Sequence, residues 1–148
     1  MKKPYLNAAA CQWAGRSILL LLAVLAVAMP TLVQWYGRVR LLAPTGQRAV
    51  LVGYYLCLVP LALAMLDMDR LLGRIRQGQV FQWANVRLIH RLVWYCATVS
   101  LITLACAWWY PPLVFVTVVT AFLCLVIGVV GNVMGAATVL QEENDLTI

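Results

Sequence analysis

The sequence predicts an all-α membrane protein: a four-transmembrane-helix bundle with a short amphipathic cytoplasmic loop between helices two and three. Three observations predict it. First, 64% of the 148 residues are hydrophobic and only 11% are charged, whereas a soluble domain carries roughly 25% charged residues to meet water. Second, the charges leave three uncharged runs, at 17–37, 49–66 and 92–141. Third, lysine and arginine are unevenly shared between the connecting segments. Richness in Leu, Val and aromatics excludes disorder, and the mean hydropathy of +0.89 agrees. The chain is expected to form one integral membrane domain over 1–148.

A helix rises ~1.5 Å per residue, so ~20 apolar residues cross a ~30 Å hydrocarbon core. The first two runs each supply one span, at 17–36 and 49–66. Ala26-Val27-Ala28 imitates a signal-peptidase site, but the apolar run continues to Tyr36, which favours an uncleaved span. The third run is broken by Pro111-Pro112, which cannot sit inside a helix. It becomes two spans, 92–110 and 113–140, joined by a tight hairpin. Pro30 and Pro60 are expected to bend the first two spans.

With four spans, both termini share a side with the loop between spans two and three. Lys2, Lys3, Arg16, Arg70, Arg74, Arg76, Arg87 and Arg91 lie there, against Arg38, Arg40 and Arg48 opposite. The positive-inside bias places that side, with both termini, in the cytoplasm. Trp35, Tyr36, Trp108, Trp109 and Tyr110 suit the outer aromatic belt, and Trp83, Trp94 and Tyr95 the inner one.

The net charge of +6 does not point to nucleic acid, because the basic residues stand at span ends, where they meet headgroups. Cys11, Cys57, Cys96, Cys106 and Cys124 show no C-x-x-C spacing and serve as small packing residues. His90 stands among Arg87 and Arg91 with no ligand at metal spacing. No cofactor, metal or catalytic residue is expected. The spans as drawn contain no ionisable residue, and proton relays, ion pathways and intramembrane catalysis ordinarily need one.

Two constellations remain. Thr117, Ala121, Cys124, Gly128, Gly131, Gly135 and Thr138 recur at alternating steps of four and three along span four, and every member is small. Cys96, Ser100, Thr103 and Ala107 form a shorter version in span three. Such seams let helix backbones approach closely, so spans three and four are expected to pack seam to seam; a homodimer through Gly131-x-x-x-Gly135 is the alternative. The second constellation is a cytoplasmic interaction motif: Gly78, Phe81, Asn85, Arg87 and Arg91 near the inner loop, with Glu142, Glu143, Asn144 and Asp145 on an acidic tail. A helix through span four overshoots the membrane and carries the tail to the level of the loop, where its acids are expected to pair with Arg87 and Arg91. Asn85 and Asn144 are expected to bond loop backbone.

Gly78-x-Val80-Phe81-x-x-x-Asn85-Val86, together with Glu143-Asn144-Asp145-Leu146-Thr147-Ile148, resembles the bacterial membrane family called domain of unknown function 2975 (DUF2975). In that family the loop often reads Phe-Thr-x-Glu-Asn, a helix-capping pair. Gln82 and Ala84 stand there in this sequence, so the cap is weaker or falls to Asn85. The resemblance implies no established activity, and members are often encoded beside small helix-turn-helix regulators. Three function classes follow: a non-enzymatic regulatory or sensor protein with a soluble cytoplasmic partner, an assembly subunit of a larger membrane complex, and a small-solute transporter.

Overall fold

The computed structural model describes residues 5–41 and 43–147. Lys2, Lys3 and Ile148 lie outside them, as do the side chains of Cys11 and Arg40. Four helices follow one another: α1 (Tyr5–Arg40), α2 (Pro44–Arg76), α3 (Trp83–Ala107) and α4 (Leu113–Leu146). Each is long and apolar enough to cross a membrane. The expected spans fall inside them, except that 108–110 belong to the turn before α4. The helices outrun the spans because flanking charged residues continue the helix into water. Pro44 opens α2 in its first turn, where a missing N–H costs nothing. Helices α1 and α2 run on through Pro30 and Pro60.

Among the described residues, packing joins only consecutive helices, so the bundle is a row that curls without closing between α1 and α4. Helix α3 sits in the middle of its own two neighbours and buries the most residues, including Val86, Leu88, Ile89, Leu92 and Val99. The curl encloses an apolar cavity of about 300 Å³ that all four helices line, through residues such as Leu22, Tyr54, Cys57, Val99, Cys106 and Val116. At the hairpin end, Tyr36 of α1 meets Tyr110 of the α3–α4 turn, hydroxyl to hydroxyl at 3.0 Å with the rings edge to face. In mid-span, Tyr55 Oη donates to the Ala26 carbonyl at 2.8 Å and ties α2 to α1.

The α4 seam packs on α3 over most of its length. A Cβ at Gly131 would stand 3.0 Å from Ile89 Cγ2, and one at Gly135 would stand 3.9 Å from Val86 Cγ1. Cys124 Sγ donates to the Val93 carbonyl at 3.5 Å, and the Thr117 and Thr103 hydroxyls meet at 3.0 Å. Thr117, Gly131 and Thr138 are buried. Two members depart from the expectation: Ala121 is exposed, and Gly128 faces open space. A straight helix drifts about 20° per heptad away from a strict 3.5 repeat, so a long seam need not stay in contact throughout.

Candidate functional site

The polar chemistry gathers at the end that carries both termini and the α2–α3 loop. Its foundation is the way α2 stops. Gly78 takes φ +79°, a left-handed conformation that glycine adopts without a Cβ penalty. Gln79 N–H then reaches the Arg74 carbonyl at 3.1 Å, and Gly78 N–H the Ile75 carbonyl at 3.0 Å. This is the Schellman arrangement that satisfies the last carbonyls of a helix.

Asn85 holds the returning chain. It is fully buried in the first turn of α3, and its Nδ2 donates to the carbonyls of Gln79 at 2.6 Å and Val80 at 2.9 Å. Of the two alternatives for the cap, the weaker one is found, and Asn85 bonds the loop backbone as expected. Gln82 occupies the N-cap position with no side-chain bond, and the single amide nitrogen of Asn85 reaches the loop carbonyls because helix side chains tilt toward the N-terminus, here the loop. The Gly-to-Asn spacing of the loop motif thus has a direct structural meaning: one residue ends α2, the other pins the loop to α3. Phe81 remains half-exposed between them.

The tail joins this structure through a residue outside the expected set. Trp83 Nε1 donates to Glu142 Oε1 at 2.7 Å, linking the start of α3 to the end of α4. The expected pairing of tail acids with Arg87 and Arg91 is not formed among the described residues, where the ion pairs are Arg16–Asp69 and Arg70–Asp67. Arg87, Arg91, Glu143, Asn144 and Asp145 are exposed. Exposed pairs gain only ~0–1 kcal/mol, too little to draw long side chains together against their entropy. Asn144 uses its carbonyl within its own helix end, accepting from Thr147 N–H at 3.3 Å.

A second residue outside the expected set is Asp67, which lies one position beyond the expected end of span two. It is 3% exposed. Its Oδ1 accepts from Arg70 Nη1 at 3.2 Å and its Oδ2 from the Tyr95 hydroxyl of α3 at 3.3 Å. Two residues along, Asp69 Oδ2 faces Arg16 Nε of α1 at 3.8 Å. Helices α1, α2 and α3 are thus joined by carboxylates at one level. The spans as drawn hold no ionisable residue, yet Asp67, just past the second, is buried in the bundle, because its helix stripe carries it there and Arg70 and Tyr95 offset the burial of its charge.

A signal for Asp67 existed in the spacing. Gly46, Gly53, Pro60 and Asp67 follow one another at intervals of seven, and all four are buried. A Cβ at Gly53 would stand 2.5 Å from Cys106 Sγ, so this stripe is the close face of α2 toward α3. Among the described residues, no group of three His, Cys, Asp or Glu side chains comes together as a metal site.

Four apolar helices under a polar end define an all-α, multi-pass membrane protein. The chain belongs to the family described as "Protein of unknown function (DUF2975)", whose profile matches residues 3–148. The resemblance drawn from the loop and tail is thereby borne out over nearly the whole chain. No curated protein and no solved structure matches it.

Proposed function

We propose that this is a non-enzymatic regulatory or sensor protein of the bacterial cytoplasmic membrane, which engages a soluble protein through its α2–α3 loop and acidic tail. The observation that carries this reading is the Trp83–Glu142 bond. It fastens the tail beside a loop already pinned by Asn85, and so makes one continuous face from two distant segments. Phe81, Glu143 and Asp145 are exposed there and available to a partner. The basic excess on this side supports a cytoplasmic location for both termini. A soluble regulator of the helix-turn-helix type is the partner class that the family resemblance suggests, with nucleic acid bound by that partner and not by this chain.

Copurification tests the reading. Tagged full-length protein, gently solubilised from its native membrane, should bring down a soluble regulator, and Phe81→Ala with Glu143→Lys should release it. Recovery of membrane proteins alone would defeat it in favour of an assembly subunit or a homodimer. That second reading has one observation in its support: α1 and α4 do not meet among the described residues, so the row of helices stays open on one side. Orientation is tested separately with single cysteines at Thr45 or Gln79 in a cysteine-free background. An impermeant reagent on intact cells should label position 45 and spare 79; the reverse would overturn the cytoplasmic placement.

A further inference from the structure

Among the described residues, Arg87 and Arg91 are two of several charges that form no ion pair, and they stand out by their place on α3. Among the described residues Asp67 is taken by Arg70 and Tyr95, Asp69 by Arg16 and Glu142 by Trp83, and neither arginine forms an ion pair. Both lie on one stripe of α3, with Trp83 one turn before Arg87 and Trp94 one turn after Arg91. The opposite side of the helix is the buried one, with Asn85, Ile89, Leu92 and Thr103. Trp94 is 73% exposed, and the stripe continues through exposed Thr98, Leu101 and Ala105 to Trp108, which is 89% exposed.

The dimensions match a lipid. The two guanidinium-bearing positions are ~6 Å apart along the axis, and Arg91 to Trp108 spans ~26 Å, close to a ~30 Å hydrocarbon core. Arg91 is also the last charge before the long uncharged run. We propose that Arg87 and Arg91 bind the phosphate of an anionic phospholipid, with Trp94 at the glycerol level and Leu101 along an acyl chain. Guanidinium groups suit phosphate because they present paired donors in a planar fork. A soluble anion would leave the apolar continuation of the stripe unused. His90, between the arginines, spends its Nδ1 on the Val86 carbonyl at 3.2 Å, so that nitrogen is not free to meet a phosphate.

The test is native mass spectrometry of the full chain in mild detergent, titrated with phosphatidylglycerol and with phosphatidylcholine of identical acyl chains. The wild-type protein should retain phosphatidylglycerol in preference, and each of R87Q and R91Q should lower that preference about fivefold. Arg38→Gln, at the opposite end, should leave it unchanged. Equal retention of the two lipids by the wild-type protein overturns the proposal without need of any variant. So does a folded R87Q/R91Q protein that keeps the full preference, or displacement of the lipid by millimolar inorganic phosphate.

Discussion

Helix α3 has two neighbours and meets them with different chemistry. Toward α4 the close contacts are made by glycines and hydroxyls: Gly131 on Ile89, Gly135 beside Val86, Thr117 on Thr103. Toward α2 the contact also begins with a glycine, Gly53 against Cys106, but it ends on a carboxylate held by Tyr95 and Arg70. Lipid is as apolar as leucine, so no hydrophobic gain drives helices together within it, and close packing or polar bonding must do so. The α3–α4 interface takes chiefly the first course within the span, where Gly131 and Gly135 lie against Ile89 and Val86. The α2–α3 interface changes course at its polar end, where Arg70 can reach water while its neighbour stays buried. Volume should therefore govern one interface and bond satisfaction the other.

The largest effect expected is on the volume side. Gly131→Leu adds a side chain where a Cβ alone would stand 3.0 Å from Ile89 Cγ2. It should destabilise the protein by about 3 kcal/mol, the upper range for overpacking, as measured by unfolding in detergent. Gly128→Leu in the same seam meets open space and should stay within about 0.5 kcal/mol of the parent. If the two variants melt alike, the seam is not the contact that holds α4.

On the polar side the decisive substitution is Asp67→Ala. It leaves the Tyr95 hydroxyl with no acceptor in a part-buried position and should cost about 2 kcal/mol, within the range for an orphaned donor shielded from water. Asp67→Asn keeps an oxygen for Tyr95 and should cost less. Equal losses would mean that the side chain matters by its volume, and the contrast between the two interfaces would fail.

These interfaces also differ in how far the sequence discloses them. The α4 seam is visible because its members are alike: small residues at a 3.5-residue period stand out from Val and Leu. The α2 stripe recurs at twice that interval, every seven residues, and Gly46, Gly53, Pro60 and Asp67 share only their burial. A span drawn by hydropathy stops at the first charge, so Asp67 falls outside it by construction, although the helix continues to Arg76. At the tail, opposite charges suggested partners, yet an indole N–H took Glu142. Charge predicts attraction, whereas geometry selects the donor, and the register of α3 against α4 is a property of packing. Gly78 and Asn85 were legible as a motif, but their mechanical roles required the loop path.

A smaller effect is expected at the loop that follows the α2 stripe. Asn85→Ala removes both bonds that hold the carbonyls of Gln79 and Val80. Exposure of Gln79 lets water replace part of the loss, and the variant also removes a buried Oδ1 that has no partner. The net cost should be about 1 kcal/mol. Limited proteolysis provides the sharper measurement: cleavage between 77 and 82 should accelerate. Unchanged cleavage would show that the Schellman turn at Gly78 suffices to set the loop.

The smallest change in stability, and the most direct test of the polar end of the α3–α4 interface, concerns Trp83 and Glu142. Their bond is short at 2.7 Å but lies between exposed groups, so its contribution to stability should be only ~0–1 kcal/mol and a melting curve should barely shift. What the bond restrains is local. Past Thr138 every described residue of α4 is exposed, and a helix end without packing frays unless something ties it down. Hydrogen exchange across 141–147 should therefore quicken in Trp83→Phe, which keeps an aromatic ring and removes the donor. Glu142→Gln keeps an acceptor but loses the charge, and a neutral bond is about half as strong, so its effect should be intermediate. The double variant should exchange no faster than Trp83→Phe alone, because both substitutions cut the same link. An additive double variant would place a different contact under the tail. Exchange unchanged in all three would leave α4 held by its glycine seam alone, and the loop and tail would be two surfaces instead of one.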